Sequence, residues 1–205
     1  MLVKIHDENP DPRRVDQVVE YLRNGGVAVI PTDTVYSFVC DLNSHRGFEK
    51  ICKIKGVKPD KAQFSLLCAD LSHLSDFTQP ISSTTFKTLK RTLPGPFTHI
   101  LEASNQVPRL FKSKKKTIGI RVPDRETVRA IVRALGGPLV ATSVKDDDEI
   151  IEHHTDPELI YEKFRDVVDI VVDGGIGSLD PTTVVDLTSD TPEVIREGKG
   201  DVTLL

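Results

Sequence analysis

"GGVAVIPTDTVYSF", residues 25–38, is the stretch on which the reading of this chain turns. Two glycines close a helix, the apolar run 27–30 forms a strand, and Pro31 ends it. Thr32, Asp33, Thr34, Tyr36 and Ser37 then put five oxygen-bearing side chains into six positions. Pro, Thr and Asp are turn formers. A capped turn that reverses the chain therefore explains the stretch as well as the wall of a polar site does.

Helical and strand signals alternate on both sides of it. Upstream, Asp11 and Pro12 make a cap-plus-first-position start, with Val15, Val18, Val19 and Leu22 as the apolar stripe. Downstream, Ser44 opens a helix carrying Phe48, Ile51 and Cys52, and "FSLLC" (64–68) is a buried strand. Ser82 or Ser83 caps a helix with Phe86, Leu89 and Leu93, followed by the strand "FTHILEA" (97–103). "TIGIRV" (117–122) is a strand, and Asp124 caps a helix bearing Val128, Ile131, Val132 and Leu135. "LVATSV" (139–144) is another strand, and Asp156-Pro157 opens a helix reaching about Val168. "DIVVDG", "TTVVDL" and "EVIRE" finish the pattern as strands. Helices interleaved with closely spaced short strands predict one α/β domain with a twisted sheet of mixed parallel and antiparallel strands and flanking helices.

Composition narrows the function. A chain of 205 residues supports one sizeable domain. A net charge of -4 argues against wholesale coating of nucleic acid. Three cysteines, odd in number and outside any CxxC pair, suggest neither a disulfide framework nor a zinc site. His153-His154 lacks further ligands at metal spacing, so no metal site is expected. With no 18-residue apolar run and no apolar leader, the expectation is a cytoplasmic protein with no membrane contact.

No P-loop, no GxGxxG between strand and helix and no GxSxG elbow occurs. The remaining chemistry is a set of hydroxyls and cations at strand ends. "KIKGVKPDK" (53–61) carries four lysines just before a strand. Arg121 lies in an otherwise apolar strand between Ile120 and Val122, where a charge must be paired or bound. Ser143 and Lys145 follow one strand end, and Thr182, Thr183 and Arg196 mark two more. Such a set binds an anion and stabilises charge without forming a covalent intermediate.

"GGVAVIPTDTVYSF", "IKGVKPDK", "LPGPFTHIL", "TIGIRVP", "TTVVDL" and "VIREG", in this order, resemble the YrdC-like family of threonylcarbamoyl-AMP synthases, and the YciO subgroup most of all. The likeness runs from about residue 12 to 200 and implies a single domain over 1–205 with a concave, basic cavity. It implies formation of threonylcarbamoyl-adenylate from threonine, bicarbonate and ATP, for modification of tRNA adenosine. By matching motif, Thr34, Arg121 and Thr182 would contact threonine, and Lys55 and Lys58 would face the reacting carbamate and phosphates. Thr117, Ser143, Lys145 and Arg196 would line the nucleotide side, with Mg2+ carried by the ATP phosphates.

The chain departs from the family pattern at three places. Val57 stands where the Lys-x-Arg signature has arginine, Lys145 where Ser-x-Asn has asparagine, and Cys68 where a histidine is usual. At on the order of 1–3 kcal/mol each, three lost polar contacts would lower synthase activity by several decades. The alternative function is then an RNA- or nucleotide-binding module, for double-stranded RNA, tRNA or the ribosome, extended by the basic run Lys112–Lys116.

Overall fold

Asp11 accepts a hydrogen bond from the Arg13 amide and Pro12 takes the first helical position, so helix α1 (Pro12–Arg23) starts where the cap and the proline both allow. The computed structural model describes residues 1–108, 116–145, 152–189 and 191–205. Strand β1 (Leu2–Lys4) precedes α1; β2 (Ala28–Ile30), β3 (Ser37–Asp41), α2 (His45–Ile54) and β4 (Ser65–Leu67) follow it. Then come α3 (Leu74–Phe77), α4 (Ser83–Thr92), β5 (Phe97–Glu102), β6 (Thr117–Arg121), α5 (Glu126–Leu135) and β7 (Leu139–Ser143). The chain finishes with α6 (Glu152–Thr155), α7 (Pro157–Phe164), β8 (Ile170–Asp173), β9 (Thr183–Asp186) and β10 (Glu193–Arg196).

Ser44, Ser82 and Asp156 cap α2, α4 and α7 as their positions in the sequence predict. Three local expectations change. Asp124 does not cap α5; the Thr127 amide instead donates to Asp7, 120 positions earlier, at 2.9 Å, so the cap is supplied by the loop after β1. Phe86 is turned outward, and α4 buries Thr85, Thr88, Leu89 and Thr92. Helix α7 stops at Phe164, short of Val168. The chain-reversing turn read from the sequence is present: "SFVCD" is a strand antiparallel to β2, which makes residues 31–36 a hairpin loop.

The strands form one sheet in the order β1-β8-β2-β3-β7-β4-β6-β5-β9-β10, mixed as expected. The β1–β8, β8–β2, β4–β6 and β5–β9 pairs are parallel, and β2–β3, β3–β7, β4–β7, β5–β6 and β9–β10 are antiparallel. Apolar side chains collect on both faces. Phe38, Cys40, Leu66, Ile118 and Ile120 meet residues of α2, α4 and α7 on one face. Val39, Leu67, Leu139 and Ile170 meet α1 and α5 on the other.

On that second face the strands change character within two residues. Same-face positions are two apart along a strand. Val39 and Leu67 belong to the apolar cluster beneath the helices, whereas Ser37 and Ser65, two residues away on β3 and β4, line an open cavity. On β7, Leu139 and Ala141 are in the cluster and Ser143 is in the cavity wall. Each of these strands is core at one end and site at the other. Among the described residues no helix is long and apolar enough to cross a membrane.

His99 on β5 shows how dry the opposite face is. It has no solvent exposure, and its Nε2 lies 2.8 Å from the Thr92 hydroxyl while Nδ1 has no partner among the described residues. Burial pulls the imidazole down to about 4. The folded protein therefore keeps this ring neutral at a pH where the unfolded chain, near 6.5, is already protonated. Stability is full above about pH 6.5 and falls as the pH drops toward about 4, by on the order of 3 kcal/mol in all. Urea midpoints measured from pH 7.5 to 4 should fall less steeply in His99→Gln than in the parent; equal slopes would exclude His99 as the source.

Candidate functional site

Strand β6 alternates Thr117, Gly119 and Arg121 toward the cavity with buried Ile118 and Ile120 on the far side. Gly119 leaves the floor low: a Cβ there would meet the Thr98 methyl at 3.1 Å and the Ser65 Cβ at 3.3 Å. Arg121, at the strand end, has a side chain only 6% exposed. A guanidinium this dry needs acceptors, and the hairpin loop 31–36 supplies them. Its Nη2 donates to Thr34 Oγ1 at 2.7 Å and Thr32 Oγ1 at 2.9 Å, and forms an ion pair with Asp33 Oδ1. Burial pulls the Arg121 pKa down while Asp33 pulls it up, and the group stays charged.

The loop is held from other directions as well. Thr32 donates to the Val35 carbonyl at 2.7 Å and accepts from the Thr34 amide at 3.1 Å. Tyr36 donates through its hydroxyl to the Gly175 carbonyl at 2.7 Å, and the Ser178 amide donates to the Thr34 carbonyl. Lys199, after β10, donates to the Asp33 carbonyl at 2.7 Å. Two polar atoms in this well-held corner remain without a partner among the described residues: Asp33 Oδ2 and Arg121 Nε.

Beyond the corner lies a cavity of about 1020 Å³. On its far wall Thr98 and Thr182 share a hydrogen bond of 2.9 Å between their hydroxyls, and Arg196 donates to the Thr182 carbonyl at 2.9 Å. Of the residues singled out from sequence, Thr34, Thr117, Arg121, Ser143, Thr182 and Arg196 all line this one cavity. Lys55, Lys58 and Lys145 do not. Lys55 sits at the C-cap of α2, and its ammonium donates to the backbone carbonyls of Ser143 at 3.1 Å and Lys145 at 2.6 Å. It fastens the exit of β7. Lys58 stands before the turn at 59–61 with its side chain in solvent.

The charge of the cavity is mixed. Among the described residues its lining has three cations, Lys61, Arg121 and Arg196, and three carboxylates, Asp60, Glu102 and Asp186. The carboxylates were not singled out from sequence, although Glu102 shares the period of Thr98 and Ile100 along β5. Nor do the three family departures fall in the lining. Val57 and Lys145 are exposed outside it, and Cys68 is packed in the apolar core with its thiol pushed up to about 12 by burial. Of the basic run, Lys112 to Lys115 lie outside the described residues, and Lys116 adopts a left-handed φ of 59°.

Comparison with known proteins gives a consistent answer. The family model Sua5_yciO_yrdC, described as "Telomere recombination", matches residues 20–198. The "Uncharacterized protein YciO" of Escherichia coli (strain K12) is 42% identical over 97% of this chain and 95% of its own length. The E. coli YciO crystal structure superposes with a TM-score of 0.91, at 40% identity, covering 100% of this chain and 98% of that one. A threonylcarbamoyl-AMP synthase of Halorhodospira halophila is 29% identical over 85% of this chain and 91% of its own. The P. abyssi Sua5 structure, complexed with L-threonine, shares the fold at a TM-score of 0.84 and 24% identity, over 97% of this chain and 57% of that one. The chain belongs to the Sua5–YciO–YrdC family.

The Asp33–Arg121 pair should behave as a coupled unit. Removing one partner strands the other charge in a dry site, so Arg121→Ala should cost about 3–5 kcal/mol in urea unfolding. Asp33→Ala/Arg121→Ala should cost clearly less than the sum of the two single changes. Simple additivity would show that the two groups are not coupled.

Proposed function

We propose that this member of the Sua5–YciO–YrdC family works as a threonylcarbamoyl-AMP synthase-type enzyme, with threonine at the Thr34–Arg121 corner and an adenine nucleotide along the rest of the cavity. The observation that carries the reading is the joint placement of Thr34, Arg121 and Thr182 with Thr117, Ser143 and Arg196 around one cavity. Support also comes from relatives named as threonylcarbamoyl-AMP synthases and from the Sua5 structure complexed with L-threonine. The mixed charge suits an amino-acid zwitterion. The guanidinium of Arg121, which lines the cavity, would take the carboxylate.

In this reading the threonine amine and bicarbonate condense to a carbamate with loss of water. A carbamate oxygen then attacks the α-phosphorus of ATP, and the bond to pyrophosphate breaks. The protein contributes position and charge rather than a nucleophile. That division fits the thiols: burial raises Cys40, Cys52 and Cys68 alike, which keeps them protonated. The described residues hold no cluster of three His, Cys, Asp or Glu side chains able to cage a metal, and the donor set fits magnesium that arrives on the nucleotide phosphates. When bound, the ion would neutralise charge on the leaving pyrophosphate. Lys55 acts through the backbone, holding the Ser143 segment in place.

Saturating ATP with threonine should raise the melting temperature by several degrees, and pyrophosphate release should depend on both threonine and bicarbonate. Thr34→Val should weaken threonine binding about tenfold with little change in ATP binding. Nucleotide binding without pyrophosphate release would reassign the chain as a binding module. Absence of any nucleotide or threonine effect would overturn the reading.

A further inference from the structure

A triphosphate brings several negative charges into a lining whose cations and carboxylates balance, so the question is which cation is free to meet it. Arg121 is committed to Asp33 and two threonine hydroxyls. Arg196 is turned onto Thr182, with Nη2 2.9 Å and Nε 3.3 Å from its carbonyl. Lys55 is fastened to the carbonyls of Ser143 and Lys145. Lys61 also lines the cavity, and its ammonium has no hydrogen bond or ion pair among the described residues.

The backbone brings Lys61 in at one end of the cavity floor. Its turn, 59–61, starts at Pro59 and is closed by a hydrogen bond of 2.9 Å from the Lys61 amide to the Lys58 carbonyl. Strand β4 begins four residues later, with Ser65 opposite Gly119 on parallel β6 and opposite Ala141 on antiparallel β7. Residues just before Ser65 therefore enter at the end of the sheet that carries Thr117 and Ser143. Thr117, Ser143 and Lys61 line this end of the cavity together with two carboxylates, Asp60 beside Lys61 and Glu102 opposite Thr117, so an ammonium here serves both to balance them and to meet a ligand's negative charge.

Resting on the nucleotide reading above, we propose that Lys61, and not Lys55 or Lys58, is the side chain that binds the β- and γ-phosphates of the nucleotide. A lysine suits this place because an ammonium on a flexible stem is a point charge that follows a mobile phosphate chain. The same assignment explains how the cavity tolerates Val57: the cation at this end comes from a position four residues further on.

The test is titration of the whole chain with ATP, AMP and inorganic tripolyphosphate, read by calorimetry at fixed salt, for the parent, Lys61→Ala, Lys61→Arg and Lys53→Ala. The expected result is that Lys61→Ala loses about tenfold in affinity for ATP and tripolyphosphate and less than about twofold for AMP. Lys61→Arg should keep most of the affinity, and Lys53→Ala should match the parent. Unchanged ATP affinity in Lys61→Ala, or equal loss for ATP and AMP, overturns the assignment while leaving the nucleotide reading intact. If the parent binds tripolyphosphate through Lys61 but neither nucleotide, the nucleotide reading fails and the phosphate site stands. If the parent binds none of the three, both fail.

Discussion

The guanidinium of Arg121 is a charge with almost no access to water, and the fold around the cavity is arranged to make that tolerable. Five side-chain oxygens crowd into the 31–36 hairpin because a buried guanidinium has several donors to satisfy. Thr32, Asp33 and Thr34 supply acceptors directly, Tyr36 pins the loop to Gly175, and Lys199 holds the Asp33 carbonyl. Buried ion pairs seldom stabilise a protein more than a well-packed apolar pair would. The arrangement is better understood as one that fixes position. A hairpin loop that could swing in solvent is held against the sheet, with Thr34 in the cavity wall.

The rest of the site follows from how the sheet is covered. Where α1 and α5 lie over the second face, Val39, Leu67 and Leu139 are apolar; beyond the helices the same rows turn to serine, glycine and threonine. Small side chains from β3, β4, β6 and β7 make up much of the floor, with Ile100 and Val184 beside them, and Gly119 keeps it low enough for a ligand to approach the backbone. Opposite charges are distributed around the walls instead of a single basic field. That balance favours a ligand carrying both signs of charge over a purely anionic polymer.

Much of this was legible in the sequence, for physical reasons that differ by residue. Caps such as Asp11, Ser44 and Asp156 act on amides two or three positions away, so the chain itself displays them. Arg121 stood out because a charge among Ile118, Ile120 and Val122 violates the strand's own pattern. The residues that escaped notice act over distance. Asp7 caps a helix 120 positions later, and Lys199 reaches Asp33 across 166. Lys55 matched a family motif, yet its side chain turned to backbone carbonyls 88 and 90 positions away. No local period carries those contacts. The balanced charge of the cavity was hidden for the same reason, since Asp60, Glu102 and Asp186 meet only when the sheet forms.

Gaps in cover can be designed into a fold as firmly as side chains. Ten strands about 4.8 Å apart make a sheet roughly 43 Å across, and two helices packed side by side shelter about 20 Å of it. On the α1–α5 face the cavity occupies the ground where another helix could have lain. Its floor residues are thereby relieved of any duty to the core, and a lineage can exchange them one at a time while every apolar contact under the helices stays as it was. A family built this way can keep its architecture and let its ligand preference drift.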